Sequence, residues 1–248
     1  MKECAFCDHT GKLSAEHISS KWMRELFPGT ITARRFDHDN AADKEWHWNS
    51  LDFKASVVCK KCNETWMSDI ENRHAKPVLT PLISGEVNIP IDLAKARSMA
   101  LFAFKTAVVL DHSQRDRSGP FFDRSSRHAF RENLRIPRSV QMWLCPFRWH
   151  RGNGAFLTLY HQPESSSGEN WLMYVCTFAV GNVAIQVVAV KDKSERATIT
   201  PVTIPEILAV PFWPGLQRDY IWPRGQTLQS REDFRAFAGR WQKIEILS

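Results

Sequence analysis

Cys4-Ala5-Phe6-Cys7 and Cys59-Lys60-Lys61-Cys62 form two C-x-x-C pairs, Glu16-His17 stands between them, and Asn63 follows the second pair directly. Two such pairs supply the four thiolates of a closed, tetrahedral structural zinc site. The other three residues are of the kinds that metal-assisted phosphodiester hydrolysis requires: an attacking water must lose a proton, a cation must sit on the scissile phosphate, and the leaving oxygen must be stabilised. A neutral histidine can take a proton from water at physiological pH. A hard ion such as Mg²⁺ prefers oxygen ligands and binds through few protein groups. Glu16 offers a carboxylate and Asn63 a carbonyl oxygen. Neighbouring residues on a strand point to opposite faces, so Glu16 and His17 can share a task only at an irregular strand end.

A C-x-x-C pair, an acid–histidine pair at the end of a strand, and a second C-x-x-C followed by asparagine at the start of a helix: this order resembles the zinc-containing HNH endonucleases, the ββα-metal or His-Me finger group. The phage junction-resolving endonucleases of that group share the order. The resemblance covers roughly residues 1–80, about a third of the chain. It implies that His17 is the general base, that Glu16 and Asn63 hold a catalytic Mg²⁺ or Mn²⁺, and that Cys4, Cys7, Cys59 and Cys62 hold a structural Zn²⁺. It also implies a middle asparagine that positions the histidine; Asn40 and Asn49 are both available, and Asn49, nearer the second pair, is the choice. The sequence departs from the family pattern in three places, the first being this middle asparagine, for which two positions compete. Glutamate replaces the commoner aspartate, and His17-Ile18-Ser19-Ser20 has serine where the family usually has proline. The rival reading is a treble-clef zinc module that binds DNA or protein and cuts nothing, with Asn63 as a helix cap and His17 as a packed histidine.

The elements that must position these groups are legible in outline. Lys12 to Ala15 reads as a short strand, Ser20 as the N-cap of a brief helix that Pro28-Gly29 stops, and 30–52 as a polar insertion with hairpin pieces. Phe53 to Val58 is a strand entering the second knuckle, and Asn63 to His74 a helix with Trp66, Met67 and Ile70 on one side. A fold this small cannot rely on a large core, and zinc replaces it. Beyond a Pro/Gly-rich exit come a buried helix over Leu93–Leu110, an amphipathic helix over Asp123–Arg135, and strands Trp171–Phe178 and Asn182–Val190 turning at Gly181-Asn182. A last helix opens on the capping box Ser230-Arg231-Glu232-Asp233. The expected architecture is therefore α+β: a zinc-stapled ββα-metal, treble-clef-like domain over 1–85, then a larger mixed domain over 91–248 for DNA recognition or assembly.

The chain has 248 residues and a formal net charge of +6. Residues 1–85 hold 12 basic and 12 acidic residues, so the excess lies entirely beyond them. A zinc tetrathiolate adds about two negative charges to the first part. Attraction for a polyanion thus falls to the second part. Arg124, Arg127, Arg131 and Arg135 recur at spacings of three and four, a helical stripe able to clamp DNA phosphates, and Arg115, Arg117 and Arg138 extend it. A solvated helix face is the alternative. Trp22 and Trp66 read as core of the first domain before base-stacking platforms, and Trp143, Trp149, Trp171, Trp213 and Trp222 as core and interface residues of the second before the lining of a base pocket.

Six cysteines, four of them paired as ligands, suit a reducing cytoplasm, and Cys145 and Cys176 read as ordinary semi-buried thiols. Lys95, Arg97 and Lys105 interrupt the longest apolar stretch, which excludes a membrane span there, and no leader is expected. The expected partner is DNA, with room for a homo-oligomer or a partner subunit. The resemblance is compatible with restriction or anti-phage defence and with phage DNA processing.

Overall fold

The computed structural model of the chain describes residues 3–17, 20–26, 31–36, 44–48, 54–113, 119–148, 154–162, 171–192, 209–215 and 219–240, with side-chain placement omitted at 15–17, 31–36, 44–48, 154–162, 171 and 192. Asn40, Asn49, Arg115, Arg117 and Trp149 lie outside the described residues.

The N-terminal third builds two strands and two helices around the cysteines. Strand β1 (Ser14–His17) pairs antiparallel with β4 (Lys54–Val58), and helix α1 (Lys21–Leu26) buries Trp22 and Met23. Cys59 begins a helical run: α2 (Lys60–Cys62), then π-helical stretches Asn63–Met67 and Ile70–Ala75, then α3 (Lys76–Ser84). The run extends ten residues past the expected end at His74. It stops at Gly85, whose φ of 85° only glycine adopts readily. A Cβ there would also lie 2.8 Å from Asn182 Nδ2.

The remainder forms a large sheet with a helix against each face. Strands β2 (Ile31–Phe36) and β3 (Lys44–Trp48) come from the insertion between the knuckles. Strand β5 (Ile89–Ile91) and helices α4 (Leu93–Ser113) and α5 (Arg124–Asn133) lead into β6 (Val140–Pro146), β7 (Gly154–Gln162), β8 (Trp171–Val180) and β9 (Val183–Asp192). Strands β10 (Val210–Trp213) and β11 (Tyr220–Trp222) and helix α6 (Arg231–Gly239) follow. The sheet order is β10-β6-β9-β8-β7-β2-β3, antiparallel throughout except for the parallel β2–β7 pair. Strand β5 pairs with β11 separately.

The central strands are apolar on both sides because both sides are covered. Met142, Leu144, Tyr174, Cys176, Ile185 and Val187 belong to the core that includes α4. The alternate residues Trp143, Cys145, Val175 and Val188 pack with Phe234 and Phe237 of α6. The period-2 alternation therefore sorts one strand sequence between two apolar layers. Helix α6 begins with the reciprocal Ser230–Asp233 capping box.

The protein is α+β with an N-terminal cysteine cluster. One continuous apolar core joins Phe6, Val58 and Met67 of the N-terminal part to Phe104, Phe130 and Tyr174. The insertion hairpin β2–β3 extends the sheet of the C-terminal part, and the β8–β9 turn caps α3, with Asn182 N and Nδ2 donating to Ile83 O at 3.1 and 3.0 Å. Residues 1–85 and 91–248 therefore share both core and sheet. Among the described residues no helix is long and apolar enough to cross a membrane.

Candidate functional site

The first knuckle is a tight loop. Cys4 N donates to His9 O at 2.9 Å, and Ala5 N donates to Val57 O at 2.8 Å, fixing the loop to β4. Because β4 runs straight into Cys59, the second pair arrives beside the first. The ligand atoms of Cys4, Cys7, Cys59 and Cys62 all lie within 4.8 Å of one another. Cys7 Sγ is 3.6 Å from Cys59 Sγ and 3.7 Å from Cys62 Sγ. A tetrahedron with zinc–sulfur bonds of about 2.3 Å has edges of about 3.8 Å, so the spacing fits that ion. Backbone amides support the sulfurs, with Cys59 N donating to Cys4 Sγ at 3.2 Å and Cys62 N to Cys59 Sγ at 3.5 Å.

The electrostatics of the cluster agree with its geometry. The hydrogen bond from Cys62 pulls the Cys4 thiol down to about 4, and the same contact pushes Cys62 up. Burial raises Cys7. Thiols this close compete for charge, and a cation at their centre lets all four ionise. The cluster is thus a site able to hold a structural metal such as zinc. Cys145 and Cys176 differ: burial raises Cys145 to about 12 and raises Cys176 as well, so both are inert core thiols.

Backbone pairing with β4 places the start of β1, rather than its end, next to the cluster. Ser14 lies opposite Val58, the residue before Cys59, but Glu16 lies opposite Ala55 and His17 opposite Lys54. The register shift means an extra residue on β4, a bulge between the partners of Ser14 and Glu16. The shift precedes the pair: Glu16 and His17 are themselves consecutive in register with Ala55 and Lys54, so the pairing gives no irregularity between the two residues, contrary to what a shared task on one strand demands. On the other side, Asn63 follows Cys62 and opens the π-helical stretch, and its Nδ2 donates to Ser14 Oγ at 2.6 Å. Asn63 Oδ1 accepts no hydrogen bond among the described residues. The helical run is kinked two residues further on, where Thr65 has φ −106° and ψ −105°.

The arginine stripe is divided. Helix α5 ends at Asn133 with Leu134 in the left-handed region, so Arg135 lies beyond the helix and out of the row. Arg124 pairs with Asp8 beside Cys7, and His128 Nε2 is 3.5 Å from the same carboxylate oxygen. Arg127 is half-buried; its Nη1 donates to Ala5 O at 2.6 Å and lies 3.3 Å from His112 Nε2, while Nε donates to Asp123 O at 3.3 Å. Two of the four arginines therefore bind the first knuckle. Arg131 and Arg135 have no ion-pair partner among the described residues. The open groove beside α5, about 630 Å³, is lined by Asp8 and Glu132 as well as Arg124 and His128, and its mixed charge does not make a phosphate cradle.

Several contacts escaped sequence reasoning. Phe6, inside the first knuckle, has ring-centroid distances of 5.0 Å to Trp66 and 6.3 Å to Phe130, and Phe104 lies 4.8 Å from Phe130. Glu71, on the helical run after the second knuckle, pairs with the buried Lys105 of α4. His112 is held down to about 4, first by burial and then by the Arg127 charge. Neither Ser14 nor Arg127's inward role had a local signal, because each depends on a partner remote in sequence. Comparison with known proteins returns no matching family model, no matching curated protein and no matching solved structure.

Proposed function

We propose that this chain is a metal-dependent endonuclease of the HNH type that hydrolyses DNA phosphodiester bonds. The observation that carries the reading is the Asn63–Ser14 hydrogen bond: it joins the helix after the second knuckle to the strand that ends in Glu16-His17. Glu16 and His17 thus belong to a strand, and Asn63 to a helical run, that are joined to each other through Ser14. The donor types fit Mg²⁺ or Mn²⁺, which take oxygen ligands.

His17 accepts the proton of the attacking water, and the water oxygen bonds to phosphorus as the P–O3′ bond breaks; the departing 3′-oxygen takes a proton from solvent water and His17 returns its own to solvent, leaving a 5′-phosphate and a 3′-hydroxyl. Glu16 and Asn63 would hold the divalent ion, which would supply charge stabilisation at the phosphate. The four cysteines fix the strand and helix and take no part in the chemistry. Arg131 on α5 and Arg135 just beyond its end are the two arginines left for phosphate contacts, and exposed Lys61 lies two residues before Asn63.

Zinc-loaded wild type, incubated with supercoiled plasmid and Mg²⁺ or Mn²⁺, should nick or linearise it. His17→Ala should lose that activity while retaining zinc and DNA binding. The non-catalytic zinc module is supported instead if wild type binds DNA and cuts none in either metal.

A further inference from the structure

Ser14 begins β1 opposite Val58, adjacent to the ligand Cys59, and its half-buried hydroxyl receives Asn63 Nδ2 at 2.6 Å. We propose that Ser14 is a positioning residue for the cation site: by holding Asn63 Nδ2 it fixes the amide so that Oδ1, and not the NH₂ group, is offered to the metal. The inference rests on the nuclease reading and adds to it a residue outside the acid–histidine–asparagine set.

The physical argument concerns the two ends of an amide. The carbonyl oxygen ligates a hard cation and the NH₂ group repels it, yet a half-turn about the terminal torsion exchanges them at little intrinsic cost. When Oδ1 ligates, NH₂ needs an acceptor, and Ser14 Oγ is the one present. Its placement is rigid: the hydroxyl sits on the zinc-proximal side of the bulge, where β1 remains in register with the residue before Cys59. The bulge on β4 then lies between the partners of Ser14 and Glu16, so the register that holds Ser14 beside the second knuckle is separate from that of the acid–histidine pair.

The test compares Ser14→Thr with Ser14→Val in the zinc-loaded full chain. These side chains have nearly the same shape and suit a strand, and they differ in the hydroxyl. Mn²⁺ affinity is read by electron paramagnetic resonance without substrate, alongside the Mn²⁺ concentration for half-maximal plasmid cleavage. Ser14→Thr should stay within about twofold of wild type. Ser14→Val should bind Mn²⁺ about five- to tenfold more weakly, the equilibrium worth of one neutral hydrogen bond, with zinc content unchanged and the rate at saturating Mn²⁺ nearly restored. In an Asn63→Asp background the Thr/Val difference should vanish, because a carboxylate presents oxygen either way round. Equal affinities for Ser14→Thr and Ser14→Val, or the same difference persisting with Asn63→Asp, would overturn the inference while leaving the nuclease reading intact. A wild type that neither cuts DNA nor binds Mn²⁺ in an Asn63-dependent way would remove both.

Discussion

Arg127 reaches from α5 into the first knuckle, where its guanidinium donates to the Ala5 carbonyl and lies against His112. A charged hydrogen bond of this kind contributes about 2 kcal/mol. Arg127→Ala should therefore lower stability by about that amount in denaturant titration, yet leave the salt dependence of DNA binding unchanged. Arg131→Ala with Arg135→Ala should do the reverse, flattening the salt slope with little loss of stability, since these side chains are the ones left for phosphates. Swapped outcomes would restore Arg127 as a phosphate contact. His112 gives the same neighbourhood a pH dependence. Its folded value of about 4 lies below the roughly 6.5 of an unfolded histidine, so the unfolded chain binds the extra proton between them. Its contribution is complete above pH 7 and is lost as pH falls from about 6.5 towards 4. His112→Gln should make the urea midpoint less sensitive to acid over that window; an unchanged pH slope would show that other groups set it.

Helix α5 docks on the cysteine loop through Arg124–Asp8, Arg127–Ala5 and the Phe6–Phe130 contact. Removing the metal should therefore loosen α5 as well as the knuckles. Hydrogen exchange after chelation should rise over 124–133 together with 3–17 and 54–67, whereas exchange confined to the knuckle segments would mean that α5 holds its place independently. The elements whose periodicity is local were legible in sequence: α4 from its apolar run, the β8–β9 hairpin from its Gly181-Asn182 turn, α6 from its capping box. The position of α5 was not legible. Its arginine spacing is compatible with a solvated stripe, and only the arrival of Ala5 and Asp8 from more than a hundred residues away turns two of those side chains inward. The same limit applies to the 31–48 insertion. Strand pieces were readable there, but parallel pairing of β2 with β7 leaves no signature in either segment. The four cysteines were legible because their spacing already encodes a tetrahedron; Ser14 was not, since a serine on a strand has no distinctive pattern.

Across the whole molecule, the N-terminal third is integrated with the rest. Its hairpin completes the large sheet, its helical run is capped by the β8–β9 turn, and Glu71 meets the buried Lys105. A fragment ending at residue 85 would expose the apolar face that covers Phe104 and Phe130. That fragment, given zinc, should show no cooperative unfolding transition by circular dichroism, while the full chain should show one; a folded, zinc-bound fragment would contradict the shared core. On this account the C-terminal part holds the site's scaffold rigid as well as supplying the net positive charge. The central claim, that His17 acts as the base in metal-assisted cleavage, is tested most directly by chemical rescue. Supercoiled plasmid is incubated with Mn²⁺ and zinc-loaded His17→Ala, with and without added imidazole. The account predicts loss of cleavage by about a hundredfold or more and recovery that grows with imidazole concentration. Wild-type rates in His17→Ala without imidazole would contradict it.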